Sequence, residues 1–188
     1  MERFLYDSFA QRWYRGGTVW FYSDPHFNDK EMLEKRHIGD EEQVKRINSK
    51  IGKCDTIIFL GDIGDPTFIQ KIRGYKVLVM GNHEKGACNY NMFDEVYEGV
   101  LTISNKIILS HEPLDDIPYL FNIHGHDHSG KKRANHLNVC AECIDYTPVS
   151  LPQLVASGCF KGIKDIHRIC IDAATKRKAK KDQGGHHE

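Results

Sequence analysis

The sequence lacks the long apolar run that a membrane-spanning protein needs. No stretch of its 188 residues approaches the roughly 20 consecutive apolar residues of a membrane helix. Residues 1–17 also lack an apolar segment of the signal-peptide type, which predicts a cytoplasmic protein without a membrane partner. With 40% hydrophobic and 28% charged residues, the composition further excludes a disordered or collagen-like chain.

Neither sign of charge is in excess, since 26 basic residues balance 26 acidic ones. Segment 176–188 holds five basic and two acidic residues, which leaves 21 basic and 24 acidic residues, a net charge of −3, over residues 1–175. That body lacks the basic excess of a strong nucleic-acid binder. The length predicts one domain over residues 1–175, followed by a basic, disordered tail over 176–188.

Cysteine is too sparse for a disulfide framework. The six cysteines in 188 residues are therefore predicted to be free thiols in a reducing compartment. Cys140 and Cys143 have the C-x-x-C spacing, but no second pair accompanies them. A zinc site needs further ligands of this kind, so we predict structural thiols at both positions.

The sequence does contain short apolar runs, rich in β-branched and aromatic residues, that are typical of buried strands. These predicted strands are Thr18–Ser23, Thr56–Leu60, Lys76–Met80, Lys106–Ser110, Leu120–His124 and Leu137–Ile144. A short run at Leu101–Ile103 predicts a hairpin with the fourth of them.

Helical patterns lie between and after these strands. Over Asp40–Ile51, Val44, Ile47 and Ile51 fall on one helical face. Further helices are predicted at Pro66–Ile72, Ser150–Ala156 and Lys164–Ala174. The order of elements predicts an α/β fold in which helices cover a mixed sheet.

A block of Asp, Asn or His residues follows each of the first five strands. The chemically active members of these blocks are Asp24, His26, Asp62, Asp65, Asn82, His83, His111, His126 and His128. In open α/β sheets ligands bind at the carboxyl ends of strands. We therefore expect these side chains to meet in one place.

Imidazole, carboxylate and amide oxygen together suit divalent Mn, Fe, Zn or Ni. Seven of the residues can act as ligands, too many for one tetrahedral ion: Asp24, His26, Asp62, Asn82, His111, His126 and His128. One bridging carboxylate among them would complete two sites of four ligands each. Two ions about 3.5–4 Å apart can clamp a phosphate and activate a water molecule. We expect two divalent ions, manganese first, with iron, zinc and nickel as alternatives.

The blocks D-x-H, G-D-x-x-D, G-N-H-E, a lone His and G-H-x-H resemble the calcineurin-like metallophosphoesterase family in their order and in their relation to the strands. The resemblance covers Asp24–His128 by motif and residues 18–154 by fold. It implies a metallophosphoesterase-like sandwich of two mixed β-sheets flanked by α-helices. The short chain, without an inserted cap domain, looks most like the small prokaryotic phosphoesterases of that family.

The resemblance also implies a role for each residue. Asp24, His26 and His128 would hold the first metal ion. Asn82, His111 and His126 would hold the second, and Asp62 would bridge the two. His83 would protonate the leaving oxygen or stabilise developing charge, and Asp65 would orient His83.

The implied activity is hydrolysis of phosphate esters by a metal-bridging hydroxide. Phosphodiesters are favoured, because Pro66 stands where relatives resembling protein phosphatases carry Arg. Three alternatives stay open: a phosphomonoesterase of the same fold, a catalytically silent scaffold, and a nuclease or RNA-processing enzyme with a polymer substrate. A nucleic acid or a nucleotide is therefore a candidate partner. The sequence leaves the substrate, the native metal pair and the oligomeric state undetermined.

Overall fold

Two mixed β-sheets form the frame of the protein in the computed structural model, which describes residues 4–84, 90–117, 119–163 and 171–178. The strands are β1 (Val19–Tyr22), β2 (Thr56–Phe59), β3 (Tyr75–Val79), β4 (Glu95–Tyr97), β5 (Leu101–Thr102), β6 (Ile107–Leu109), β7 (Phe121–His124), β8 (His136–Asn138) and β9 (Val149–Ser150). Their division into two sheets confirms the predicted sandwich.

The first sheet has the order β4-β3-β2-β1-β9. Its strands β1 to β4 are parallel, and β9 pairs antiparallel with β1. The second sheet has the order β5-β6-β7-β8, with β6, β7 and β8 parallel. The antiparallel pair of β5 and β6 is the predicted hairpin. Because most strands of each sheet are parallel, their carboxyl ends lie at a common edge.

Two of the described α-helices, the second and the fourth along the chain, have side-chain caps. Four of the described helices are α1 (Asp7–Trp13), α2 (Lys30–Arg36), α3 (Asp40–Lys50) and α4 (Leu151–Ser157), residues 171–178 are also helical, and 3-10 helices lie at Pro66–Lys71, Tyr90–Met92 and Ala141–Ile144. The Asp29 side chain caps α2 by accepting hydrogen bonds from two backbone amides of its first turn. At α4, Ser150 and Gln153 form a reciprocal capping box, and Gly158 ends the helix with a φ of 75°.

The core is divided by the first sheet, and the two-residue period of its strands explains the division. Ile58 points between the two sheets, into a cluster with Val77 and Ile123. Its neighbours Ile57 and Phe59 belong to the cluster on the opposite face, which also contains the three α3-face residues predicted from the sequence. The helix and both sheets are thus held by buried apolar side chains.

One predicted strand was wrong. Leu137–Ile144 was expected to be extended throughout, but the strand covers only His136–Asn138. Beyond it the chain crosses to the end of β1, where Cys140 forms an isolated bridge with Ser23. Ala141 then donates its backbone N–H to the Ser23 carbonyl and a 3-10 helix begins. The chain leaves the second sheet after β8 because its backbone pairs with Ser23, at the end of β1 in the first sheet.

Other differences concern short elements. The sequence patterns missed α1, α2, β4 and β9, and the helix predicted from Pro66 is a 3-10 helix. Of the helix predicted over 164–174, residues 164–170 lie outside the described part. Residues 171–178 are helical, so this helix enters the segment expected to be a disordered tail. Within the described residues, every helix is too short or too polar to cross a membrane.

Candidate metal centre

The structure brings all seven predicted ligands into one cluster. Asp24, Asp62 and Asn82 follow the ends of β1, β2 and β3 in the first sheet, whereas His111 and His126 follow β6 and β7 in the second. The packing of one sheet on the other puts these edges side by side. The ligands therefore fall into two groups that share one carboxylate.

The group around His111 has the spacing of ligands around a single ion. His111 Nε2 lies 2.8 Å from Asn82 Oδ1 and 3.1 Å from His126 Nδ1. It lies 3.4 Å from Asp62 Oδ2. Bonds of about 2.1 Å to one ion place neighbouring ligand atoms about 3.0–3.4 Å apart in octahedral or tetrahedral geometry. These four side chains fit one divalent cation.

The group around Asp24 is slightly wider. Asp24 Oδ1 lies 3.6 Å from His128 Nε2 and 3.9 Å from His26 Nε2. His26 Nε2 is also 3.8 Å from Asp62 Oδ2, the same oxygen that faces His111. Asp62 therefore stands between the two groups, which is the position expected of a bridging ligand.

Two atoms of this group are buried without a partner. Among the described residues, nothing forms a hydrogen bond with Asp24 Oδ1 or His26 Nε2. Leaving such a buried group unsatisfied costs about 1–3 kcal/mol, more for a charged one. Both atoms point to the same small space between the ligands. A bound cation would satisfy them together, so the donor set fits the metal that the sequence implied.

The backbone at the ligands is strained. Asp24, His26, Asp62 and His126 all have positive φ, at 54°, 47°, 52° and 65°. A non-glycine residue in this left-handed region costs on the order of 1–3 kcal/mol and persists where the surrounding structure imposes it. Four such residues in one cluster indicate that the surrounding structure imposes this conformation on the ligand loops.

Glycines allow the loops of the cluster to touch. A Cβ on Gly125 would lie 2.0 Å from Ser23 Oγ and 2.2 Å from Asp24 Oδ2. A Cβ on Gly61, whose φ is 92°, would lie 2.6 Å from the backbone of Gly81. Any larger residue at these positions would push the ligand loops apart.

Glu142 and Arg36 support the Asp24 group, and sequence reasoning missed both. Glu142 Oε1 accepts hydrogen bonds from His128 Nδ1 at 2.9 Å and from Arg36 Nε and Nη2 at 2.9 and 2.8 Å. Nη2 of Arg36 also donates to the Asp24 carbonyl oxygen at 2.8 Å. These contacts fix the His128 ring with Nε2 turned to the cluster.

Neighbouring groups stabilise the ionised form of Glu142. Burial alone would raise the pKa of Glu142, but its hydrogen bond to His128 and the nearby Arg36 lower the pKa to about 2. Arg36 lies at the end of α2, which the sequence could have predicted from Asp29 as a cap before a run of helix-forming residues. No local signal marks Glu142, which lies in the segment predicted as a strand.

Two further side chains shape the loops. Glu84, buried, accepts hydrogen bonds from the backbone amides of Asp62 at 3.0 Å and Ile63 at 2.7 Å. The thiol of Cys140 lies 3.3 Å from Asp24 Oδ2, and burial raises its pKa. The His126 amide donates to that same oxygen at 2.9 Å. Because Oδ2 of Asp24 is engaged by these two groups, its other oxygen, Oδ1, is the one that faces His26 and His128.

Cys140 and Cys143 are both free thiols in the structure, as predicted, and so are Cys54 and Cys159. The sequence did not indicate that the Cys140 thiol contacts a ligand. Cys88 and Cys170 lie outside the described residues.

His83 faces the cluster from the solvent side. Its side chain is 67% exposed, and its Nε2 lies 3.8 Å from Asp62 Oδ2. The backbone N–H of His83 donates to Asp62 Oδ1 at 3.1 Å, which ties its position to the shared carboxylate. An imidazole in this place can meet a substrate that approaches the ligands.

The expected contact between Asp65 and His83 is absent. The Asp65 carboxylate instead accepts hydrogen bonds from the backbone amide and hydroxyl of Thr67 at 2.9 and 2.7 Å. These bonds lower the pKa of Asp65 and cap the 3-10 helix that starts at Pro66. Asp65 is thus a helix cap in this structure, which corrects the expectation that it orients His83.

The carboxylates make the cluster strongly attractive to positive charge. Burial disfavours the charged form of His111, but the hydrogen bond to Asp62 and the charges of Asp24 and Asp62 raise its pKa to about 9. A divalent cation bound by these ligands would take the place of that proton.

Comparisons with known proteins agree with this geometry. The family model of calcineurin-like phosphoesterases matches residues 17–152. The uncharacterized protein MJ1445 of Methanocaldococcus jannaschii is 27% identical over 165 residues, covering 73% of this chain and 89% of that protein. The gene 66 protein of Mycobacterium phage L5 is 32% identical over 82 residues, covering 36% of this chain and 40% of that protein.

A solved structure shows the same fold. The Aquifex aeolicus protein AQ665, described as of unknown function, superposes with a TM-score of 0.61 at 24% identity, covering 74% of this chain and 98% of that one. The family itself is shown by the family model, which matches more than half of the chain. The chain belongs to the calcineurin-like phosphoesterase family of dinuclear metal-dependent phosphoester hydrolases.

Proposed function

We propose that this protein is a dinuclear metal-dependent phosphoesterase that prefers phosphodiesters. The observation that carries the proposal is the position of Asp62. Its Oδ2 faces His111 at 3.4 Å on one side and His26 at 3.8 Å on the other. A carboxylate shared by two complete ligand groups is the arrangement that two-metal phosphoryl hydrolysis needs.

The seven ligands would form two metal sites. Asp24, His26 and His128 would hold one ion together with Asp62, whereas Asn82, His111 and His126 would hold the other. When bound, the ions supply Lewis-acid stabilisation of charge on the phosphoryl oxygens and lower the pKa of water. Of the divalent ions that suit this donor set, we propose manganese.

His83 acts on the substrate rather than on the metals. Its exposed ring stands beside the shared carboxylate, so an N–H on it can donate to an oxygen of the phosphate ester. We assign His83 to protonation of the leaving oxygen or to stabilisation of the charge that develops there.

The preference for diesters is supported by two arginines of the described residues, both of which are engaged by carboxylates of the protein. Arg36 lies behind the ligands and is committed to Glu142, and Arg133 pairs with Asp115 at 2.9 Å. Pro66, which begins a 3-10 helix, offers no cation to the substrate. A monoester dianion gains more from a guanidinium clamp than a singly charged diester does. Phosphomonoesters are the second candidate substrates.

The test compares an aryl phosphodiester with the matching monoester, using protein stripped of metal and reloaded with Mn²⁺. We expect faster turnover of the diester. The variant His83→Ala should keep its metal and lose turnover by about 100-fold, whereas Asp62→Asn should lose metal from both sites. A protein that binds two ions per chain and hydrolyses neither ester contradicts the proposal. A protein that binds no metal supports the scaffold alternative.

A further inference from the structure

A cleft of about 510 Å³ opens beside the ligand group of His111. Asn82 and His111 form part of its lining, so the cleft and the metal centre are continuous. The other walls come from the turn between β4 and β5, at Glu98 and Val100, and from the residues after β6, at Glu112 and Leu114. Any phosphate held at the metal centre therefore lies at the mouth of this cleft.

The size of the cleft indicates an organic group. Small-molecule sites commonly have volumes of about 300–1,000 Å³. The cleft, at about 510 Å³, falls within this range and is much larger than a phosphate needs. Since the phosphorus must lie at the ligands, the extra space is available to one of the groups esterified to it.

The walls indicate the chemistry of that group. Met80, Val100 and Leu114 offer apolar surface, and the Val100 side chain is 51% exposed. Apart from the ligand His111, the charged side chains of the described lining are those of Glu98 and Glu112, and both are exposed. The described lining contains no lysine or arginine. Such walls attract an apolar group and repel a second phosphate.

We propose that this cleft binds one ester substituent of the substrate, and that this substituent is an organic group without negative charge, up to the size of a nucleoside. The inference rests on the proposed phosphodiesterase function and narrows its substrates. It favours diesters of nucleosides or of aryl and alkyl alcohols. It disfavours polyphosphates and nucleic-acid chains, whose next phosphate would lie against the two glutamates.

The experiment compares three p-nitrophenyl diesters with the Mn²⁺-loaded protein. They are methyl p-nitrophenyl phosphate, thymidine 5′-(p-nitrophenyl phosphate), and the latter compound with a further phosphate on the 3′ oxygen. We expect the thymidine diester to have a KM about tenfold below that of the methyl diester, and the extra phosphate to remove this advantage. The variant Val100→Arg should raise the KM for the thymidine diester by a larger factor than the KM for the methyl diester.

Two further variants make the result specific. Val155→Arg introduces the same side chain at another exposed valine, on α4, and should leave all three KM values unchanged. Replacing both cleft glutamates, Glu98→Gln with Glu112→Gln, should restore binding of the doubly phosphorylated compound. Binding of thymidine 5′-monophosphate, measured by calorimetry, should weaken in Val100→Arg but not in Val155→Arg. This readout needs no turnover.

The outcomes separate the two proposals. If the methyl diester is hydrolysed but neither the KM values nor nucleotide binding respond to Val100→Arg, the cleft assignment is wrong and the phosphodiesterase function stands. If no diester is hydrolysed while nucleotide binding does respond, the cleft assignment holds and the proposed function is wrong.

Discussion

Replacing Glu142 with glutamine tests how the Asp24 group is supported. The variant Glu142→Gln keeps the size of the side chain but removes the charge that faces His128 and Arg36. Substitution of a residue that orients a metal-ligating histidine typically lowers metal affinity by about 10–100-fold. This range corresponds to about 1.4–2.8 kcal/mol.

The structure predicts which of the two metal sites should lose affinity in this variant. Glu142 contacts His128, a ligand of the Asp24 group, and its hydrogen bonds reach none of the ligands around His111. We therefore expect one of the two Mn²⁺ ions to bind about 10–100-fold more weakly and the other to bind as before. Calorimetric titration of the metal-free protein with Mn²⁺ resolves the two affinities.

A matched control lies on the helix that carries Arg36. Glu31 pairs with Lys35 at 2.6 Å on the exposed face of α2, so Glu31→Gln removes a surface ion pair without touching the ligands. This variant should bind both ions like the wild type. Equal weakening of both ions in Glu142→Gln, or no weakening at all, would refute the inference that the carboxylate acts through His128.

Three further predictions follow from the same contacts. Gly125→Ala should abolish stoichiometric metal binding, because its Cβ would overlap Ser23 and Asp24, whereas Gly39→Ala, with open space around it, should not; equal metal content in both would contradict this. Because the pKa of Glu142 is lowered to about 2 in the folded protein, the ionised carboxylate stabilises the fold above the ordinary pKa of a glutamate, and this stabilisation is lost as the pH falls towards 2. The difference in Tm between the wild type and Glu142→Gln should therefore be larger at pH 7 than at pH 3, and a constant difference would count against it. Since His111 has a pKa of about 9, Mn²⁺ uptake at pH 7 should release a proton, which titrations in buffers of different ionisation enthalpy would detect; apparent affinity should rise with pH up to about 9, and a pH-independent affinity would be inconsistent with this.

Much of the fold and site could be predicted because the signals are local. The apolar face of α3 and the polar residues after each strand are visible within a few positions of the chain. Their meeting in space follows from a general property of parallel strands. The assignment of strands to two sheets has no such signal, since Ile58 and Ile107 both belong to short apolar runs but lie in different sheets.

The parts that could not be predicted depend on distant contacts or on competing local ones. Arg36 and Glu142 are 106 positions apart, and their pairing exists only because the 3-10 helix after β8 packs beside α2. For Asp65 the competition is local. Asp followed by Pro and Thr is also a helix-start signal, and the hydrogen bonds to Thr67 show that capping prevails over a contact with His83.

The histidines of the two ligand groups are oriented by different kinds of contact, so the two metal sites should differ in their sensitivity to substitution. His128 is oriented by a side chain, through the bond from its Nδ1 to Glu142. His111 is oriented by the backbone, because its Nδ1 donates to the Leu60 carbonyl oxygen at 2.7 Å. A carbonyl in a buried loop cannot be protonated or removed by substitution, whereas a carboxylate can. Substitution of Glu142 should therefore weaken binding of the ion of the Asp24 group, while the orientation of His111 persists as long as the fold does.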